Sequence, residues 1–165
     1  MALLSVLCSI FCCSSKPPKL PVQPPQTELS ERGKQLLEEY EEYVTHGIVF
    51  DMDIGDIFFI LGPLEGEAIS DYSTEYWYEN LEIWTYGDTV TVLRVHEDTY
   101  LELTVGKSTK DDADKKFATL TPDERVVRPD GSGVHSYKAQ DGVIIGAHYQ
   151  GEVITMISVV SPNAT

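Results

Sequence analysis

Three aspartates, at residues 51, 53 and 56, are the first group in the chain that could bind a cation. They surround Gly55, and closely spaced carboxylates are common calcium ligands in proteins. An EF-hand loop that began at Asp51 would need glycine at residue 56 and glutamate at residue 62. Those residues are Asp56 and Gly62, so the spacing predicts no calcium site. The four histidines also lack metal-ligand spacing, and we expect neither a metal nor a cofactor.

Ser132, which has glycine on both sides, is the second candidate for chemistry because His135 follows it closely. A nucleophile elbow has glycine two residues before and two residues after its serine, between a strand and a helix. Here those two positions are Asp130 and Val134, and a predicted strand follows. The segment is better interpreted as a turn that leads into this strand. We therefore expect no catalytic residues and no enzymatic activity.

Aromatic side chains are concentrated on two neighbouring predicted strands, at residues 75–79 and 81–86. Because alternate residues of a strand point to opposite faces, Leu81 and Ile83 would face the helices and their neighbours would face outward. Exposed tryptophan and tyrosine on a rigid sheet are typical anchors for a protein partner. The alternative is that these aromatic rings cover a second small core between two halves of the protein. The candidate partner-binding residues are Trp77, Glu82, Trp84 and Tyr86.

The acidic charge of the chain is uneven, which bears on the kind of partner. The formal net charge is −15, and residues 28–102 hold 19 acidic and three basic residues, whereas residues 103–165 hold eight and seven. Nucleic acid is not an expected partner, because phosphate binding requires clustered lysine and arginine. A protein with a basic surface would complement the acidic part. The alternative is that the charge only keeps the protein soluble.

The strands that carry the aromatic residues belong to a unit that occurs twice. Residues 45–78 align with residues 104–137 without a gap, and ten of the 34 positions are identical. Residue frequencies would give about two identities by chance. A repeat of this size indicates a duplicated supersecondary unit. The alignment pairs Phe58 with Phe117, so we predict that these two rings occupy equivalent core positions.

Each unit is predicted to contain one helix followed by an antiparallel meander of three strands. In the first unit, residues 54–61 form an apolar stripe with helical spacing that Gly62 and Pro63 terminate. Turn residues then separate three runs with strand composition. These predicted strands cover residues 75–79, 81–86 and 89–95.

An amphipathic helix over residues 28–46 precedes both units, and Thr27 can cap its first turn. The first unit then covers residues 47–100 and the second covers residues 101–165. The predicted fold class is therefore α+β, with two tandem repeats of a helix and a three-stranded meander behind one leading helix.

The first 27 residues differ in composition from the rest of the chain. Residues 2–13 form an apolar run that is too short to span a bilayer as a helix, which needs about 20 residues. Cys12 and Cys13 end this run, and we expect lipid attachment there, within a signal or lipid-anchor segment at residues 1–15. Residues 16–27 are rich in proline and would form a stiff linker. The predicted location is the membrane of the cell envelope, with a secreted form as the alternative.

Short motifs of the second repeat carry a family resemblance. They are residues 106–112, Phe117, Leu120, Pro122, Tyr137, Gly142 and residues 153–159. Together they resemble the SmpA/OmlA domain, which also occurs in outer-membrane assembly lipoproteins of the BamE type, and its paired form resembles the β-lactamase-inhibitor-protein fold. The resemblance covers roughly residues 44–160. It implies a non-enzymatic, membrane-anchored module that binds another protein, or alternatively a secreted proteinaceous enzyme inhibitor. It assigns no functional residue, because the shared positions are structural.

Overall fold

Eight strands pair into one antiparallel sheet in the computed structural model, which describes residues 26–164. The strands are β1 (Gly66–Ile69), β2 (Thr74–Tyr78), β3 (Leu81–Tyr86), β4 (Thr89–Val95), β5 (Thr99–Tyr100), β6 (Leu103–Thr104), β7 (Thr121–Val127), β8 (Ser132–Lys138), β9 (Ile144–Gln150) and β10 (Val153–Val160). Their order across the large sheet is β1-β2-β3-β4-β10-β9-β8-β7, and β5 with β6 forms a separate hairpin. The helices are α1 (Glu31–Glu39), a 3₁₀ helix (Glu41–Tyr43), α2 (Ile54–Leu61) and α3 (Lys110–Lys116).

The predicted fold class is wrong, both in its unit and in its assembly. Each half has a helix and four strands, because β1 and β7 add a strand at the outer edge of each meander. The two meanders do not stand as separate units, since β4 pairs with β10 and joins them into one sheet. Neither added strand has an alternating apolar pattern, because each lies at a sheet edge with most of its residues exposed. An edge strand also tolerates Pro122 within β7.

The pairing of β4 with β10 joins two buried apolar runs. Val95 lies opposite Ile157, and Leu93 lies opposite Val159. All four side chains are at most 1% exposed. Burial of each such side chain stabilises the fold by about 1.5–3 kcal/mol, so this seam is part of the core of the protein.

An approximate twofold axis passes through the centre of the seam, between Arg94 and Ser158, which lie opposite each other. The strand order reads as a meander from each edge of the sheet toward this centre. Rotation about the axis therefore exchanges the two halves of the sheet, and it defines which positions of the halves are equivalent.

The helices of the two halves also begin in equivalent places, but three residues away from the ungapped sequence alignment. The Val90 amide donates to the Met52 carbonyl, and the Ile154 amide donates to the Ser108 carbonyl, each at 2.9 Å. Each bond ties the tip of a hairpin to the segment that enters a helix. Met52 and Ser108 are 56 residues apart, whereas the sequence alignment pairs positions 59 apart.

The predicted equivalence of Phe58 and Phe117 in the core is consequently wrong. Phe117 is 5% exposed, whereas Phe58 is 41% exposed. The buried residues at equivalent positions are Ile57 in α2 and Ala113 in α3. The prediction failed because six of the eight residues of α2 are apolar, so its sequence does not define which side is buried.

The leading helix is shorter than the predicted residues 28–46. α1 has nine residues and a 3₁₀ turn follows it. Ser30, rather than Thr27, caps α1, because its hydroxyl accepts a hydrogen bond from the Gly33 amide at 2.9 Å. The buried carboxylate of Asp56 in turn accepts hydrogen bonds from the Ser30 amide and hydroxyl, at 2.8 and 2.6 Å. This contact between α1 and α2 sets where α1 begins.

The core lies between the helices and one face of the sheet. An aromatic group extends it toward α1, where the Tyr40 and Phe50 ring centroids are 4.6 Å apart. The Tyr100 hydroxyl donates to the Tyr43 carbonyl at 2.6 Å and fixes the β5–β6 hairpin to the 3₁₀ helix. No helix within the described residues is long and apolar enough to cross a membrane. The predicted anchor with Cys12 and Cys13, and the linker up to residue 25, lie outside the described residues.

Candidate functional site

The sheet has one face against the helices and one that we call the open face. Leu81 and Ile83 point toward the helices and are 2% and 0% exposed. Trp84 and Tyr86 alternate with them along β3 and point the other way, and Tyr86 is 61% exposed. The structure therefore places the aromatic side chains on the face that strand alternation predicts. Trp84 is half-buried and is not part of the buried core.

A charged network organises the open face of the first half around Glu82. One oxygen of this carboxylate accepts hydrogen bonds from the Trp84 indole and, at 2.9 Å, from Arg94 Nη1. Its other oxygen lies 3.1 Å from Nε2 of His96. The Glu82 side chain is only 12% exposed. Burial alone would raise the pKa of Glu82, but the Trp84 hydrogen bond and the Arg94 charge outweigh it and hold the pKa below its ordinary value.

Neighbouring residues also hold the two tryptophan rings. The Arg94 guanidinium lies 4.1 Å from the centroid of the Trp84 ring, which is a cation–π geometry. Trp77 lies opposite Glu82 on one side and Gly66 on the other. A Cβ atom at Gly66 would lie 3.0 Å from Cε3 of Trp77, so the glycine leaves room for this ring. The aromatic patch consists of Trp77, Glu82, Trp84, Tyr86 and Arg94.

The open face of the second half carries smaller residues at the equivalent positions. Strand register makes Ser136, Gly146, His148 and Ser158, which we call the small-residue patch, equivalent to Trp77, Glu82, Trp84 and Arg94. Within it, Nε2 of His148 lies 3.0 Å from Oγ of Ser158. A Cβ atom at Gly146 would lie 2.5 Å from that oxygen. The glycine therefore leaves room for the histidine–serine hydrogen bond.

The protonation state of His148 follows from its surroundings. Burial, with a further contribution from the Arg94 charge, lowers the pKa of His148 to about 4. The ring is therefore neutral at pH 7. In that state its Nε2 can accept a hydrogen bond from the Ser158 hydroxyl.

The described residues assemble no catalytic triad on either face of the sheet. Ser158 and His148 have the spacing of a nucleophile and its base, but no carboxylate of the described chain hydrogen-bonds to His148. The described residues form two carboxylate–histidine pairs, and neither includes His148. Glu82 and His96 form one on the open face, and Asp114 Oδ1 and His135 Nδ1, which are 3.2 Å apart, form the other on the helix side. Tyr137 also donates to this carboxylate at 2.6 Å. The sheet thus separates the Asp114–His135 pair from the Ser158–His148 pair.

The three aspartates that could have bound a cation have structural contacts instead. Asp51 accepts hydrogen bonds from Ser161 and Asn163 at 2.5 and 2.7 Å. Asp53 caps α2, and Asp56 joins α1 to α2. Within residues 26–164 no group of side chains has the arrangement of a metal site.

Sequence reasoning did not identify Arg94 as a contributor to the site. A signal was present, because Arg94 is a charged residue between Leu93 and Val95 in a predicted strand, and alternation places it on the open face. Its contact with Glu82 could not be predicted from this signal. That contact depends on the register between β3 and β4, which places the two residues opposite each other.

Compared with protein-family models, curated proteins and solved structures, the chain gives no match. The resemblance to the SmpA/OmlA family and the kind of partner therefore stay predictions.

Proposed function

We propose that the chain is a non-enzymatic protein-interaction module that binds its partner through the aromatic patch. The observation that carries this proposal is that two tryptophans, a tyrosine and an arginine share one open sheet face around Glu82. Tryptophan, tyrosine and arginine carry much of the binding energy at protein interfaces. Trp77 and Tyr86 are 37% and 61% exposed, so they are accessible to a partner.

The charged network favours this role because it fixes the Trp84 ring before a partner binds. Trp84 is held by Glu82 through its indole nitrogen and by Arg94 over its ring. Ordering of flexible side chains on binding costs about 0.5–1.5 kcal/mol each. A patch that is already ordered avoids most of that cost. Glu82 therefore positions the Trp84 ring and does not present a free charge to a partner.

A partner with a basic surface is the best complement to this half of the molecule. Because Arg94 compensates the charge of Glu82, the attraction has to come from acidic residues at the rim of the patch. Glu79 and Asp88 are exposed in the turns that flank β3. Rim charges of this kind mainly speed association and do so most at low salt.

We further propose that the module works at a membrane, held there through its N-terminal segment. Cys12 and Cys13 end an apolar run and precede a proline-rich stretch. A single acyl chain binds a membrane only marginally, so two attached lipids are expected. Changing both cysteines to serine should move the full chain from the membrane pellet to the soluble fraction. Unchanged retention would remove the anchor from the proposal and leave the aromatic patch unaffected.

The patch can be tested by capture of partners with the immobilised full chain. Proteins bound by the wild type and identified by mass spectrometry should be lost when Trp77 or Trp84 is changed to alanine. A hot-spot residue contributes about 2 kcal/mol or more to binding, which would reduce capture roughly thirtyfold. Tyr72→Ala is the matched control, because Tyr72 is 78% exposed in the turn between β1 and β2, outside the patch.

Two results would count against the proposal. If both tryptophan variants capture the same proteins as the wild type, the aromatic patch is not the binding face. If Trp84→Ala lowers the melting temperature by many degrees while its folded fraction binds normally, the Trp84 ring is structural. Circular dichroism of each variant separates a loss of binding from a loss of fold.

A further inference from the structure

A concave site lies on the helix side of the sheet, whereas the aromatic patch lies on the open face. The 3₁₀ helix, the β5–β6 turn, α3 and the β8–β9 turn border a cleft of about 650 Å³. Clefts of about 300–1,000 Å³ are typical of sites for small ligands, and an extended peptide side chain also fits in this space. None of the residues that line this cleft belongs to the aromatic patch.

The floor of the cleft is apolar. Phe117 and Ile145 line it and are only 5% and 3% exposed. Leu101 and Leu120 also line it and pack against the core. Such a surface can accommodate the methylene groups of a long side chain whose charged end stays near water.

The rim of the cleft is acidic. Glu42, Glu102 and Asp141 line it, and Lys116 is the one basic residue among its lining residues. Nζ of Lys116 lies 2.6 Å from Glu102, so these two charges compensate each other. Glu42 and Asp141 remain, and both are exposed. One Asp141 oxygen accepts a hydrogen bond from the Val143 amide at 3.1 Å, which orients this carboxylate at the rim.

The fields of the two remaining carboxylates converge at Tyr43, which is 4% exposed and also lines the cleft. Burial raises the pKa of the Tyr43 hydroxyl, and the charges of Asp141 and Glu42 raise it further. The same negative potential would stabilise a cation placed between the two carboxylates.

The β5–β6 turn directs side chains to the cleft in a strained backbone conformation. Leu101 and Glu102 have φ angles of 49° and 64°, a region that favours glycine in two-residue hairpin turns. Glycine at these positions would relieve the strain. It would also remove two of the side chains that line the cleft.

We propose that this cleft binds a lysine or arginine side chain of a basic peptide segment. The apolar stem of that side chain would lie on Phe117 and Ile145, and its charged end would lie between Glu42 and Asp141. An anionic side chain would be repelled, and a neutral one would leave the acidic rim without a counter-charge. This inference is independent of the proposed function, because the cleft and the aromatic patch lie on opposite faces of the sheet.

The test uses a fluorescein-labelled pentaarginine peptide, titrated into the full chain and followed by fluorescence anisotropy at physiological salt. The double variant Glu42→Gln with Asp141→Asn removes both rim charges, while its new amide oxygen can still accept from the Val143 amide. We expect its Kd for the peptide to rise about tenfold or more, because the lost charges contact the ligand directly. The matched control is Glu28→Gln with Glu38→Gln, which changes the net charge equally at two exposed positions outside the cleft. Its Kd should stay within about twofold of the wild type, since distant surface charges are screened.

Amide NMR of the wild type supplies a second measurement that does not depend on the variants. Under the proposal, the peptide shifts resonances of residues 101–102, 116–120 and 139–145. The proposal is overturned if the control variant weakens binding as much as the cleft variant, because the peptide then senses only net charge. It is also overturned if the shifts map to the open face. No residue of the aromatic patch lines the cleft, so the peptide titration and the capture test of the aromatic patch can fail separately.

Discussion

The two halves of the open face share their strands but differ in chemistry. In the first half, the aromatic patch fills the face with large side chains, and two of them, Trp84 and Arg94, donate hydrogen bonds to Glu82. In the second half, Gly146 takes the position of Glu82, and one hydrogen bond between His148 and Ser158 takes the place of the network. The same backbone arrangement therefore carries large aromatic and charged side chains in one half and smaller ones in the other.

Some helix-facing side chains of the same strands are closely similar in the two halves. Leu81 and Ile145 are equivalent, as are Leu93 and Ile157, and all four are at most 3% exposed. At these four positions close packing against the helices favours large aliphatic side chains in both halves. At these positions packing against the helices constrains the side chains, while the open-face positions of the same strands differ in size and charge between the two halves.

The asymmetry has a physical origin at the twofold axis. Arg94 and Ser158 lie directly opposite each other there. An arginine on both strands would place two like charges side by side, which is unfavourable for a cross-strand pair. One half can therefore carry the arginine, with Glu82 as its partner, and the other half needs neither charge.

The largest expected effect is a difference in the free energy of unfolding between variants of Phe117 in the second half and Phe58 in the first half. Phe117→Ala should lower the free energy of unfolding by about 3–5 kcal/mol, because it opens a cavity beside Tyr137, whose ring centroid lies 5.0 Å away. Phe58→Ala should cost about 1 kcal/mol, since Phe58 is 41% exposed and touches Tyr76 only edge-on. Urea denaturation of both variants measures the two values. Equal costs would restore the equivalence of the two rings that the sequence alignment implied.

The second difference is a pH dependence of stability that arises from His148 in the small-residue patch. His148 has a folded-state pKa of about 4, below its ordinary value of about 6.5 in the unfolded chain. As pH falls from about 6.5 to 4 the unfolded chain takes up the proton first, so unfolding becomes easier by about 2 kcal/mol, with allowance for partial solvent screening. Stability curves of the wild type and His148→Gln should diverge across this window.

The groups near His148 on this face should not obscure the effect. The Trp84 hydrogen bond and the Arg94 charge hold the pKa of Glu82 below its ordinary value despite its burial, so as pH falls this carboxylate takes up its proton later than an ordinary glutamate, and it does so in both chains compared. His96 contacts Glu82 rather than His148 and can be replaced by glutamine in both chains compared. If stability has the same pH dependence in the wild type and in His148→Gln, His148 takes up its proton as readily in the folded protein as in the unfolded chain.

The smallest expected effect concerns Gly146, which takes the position of Glu82 in the second half. Gly146→Ala should cost about 1–2 kcal/mol by overpacking, because its Cβ atom would lie 2.5 Å from Oγ of Ser158. Adding Ser158→Ala removes that oxygen and should recover at least half of the cost, a coupling that thermal unfolding of the four chains can measure. Independent, additive effects would mean that Gly146 is not required by the serine.

Much of the local structure follows from sequence patterns alone. The predicted strands at residues 81–86 and 89–95 have the bounds of β3 and β4, because alternation and the turn between them are local signals. The same alternation predicts that Leu81 faces the helices and that Trp84 faces away. The repeat is also visible in the sequence, but its ungapped alignment shifts the helices by three residues, since α2 is apolar on nearly all sides.

Only the tertiary structure decided how these pieces combine. The edge strands β1 and β7 lack an apolar pattern because they bury little surface, so nothing in their sequences marks them as strands. The junction of β4 with β10 depends on two buried runs that pair although they are more than 60 residues apart in the sequence. That junction and the register of β3 on β4 place Arg94 beside Glu82 and opposite Ser158. Local periodicity carries no information about such pairings, because they are selected by the packing of distant segments.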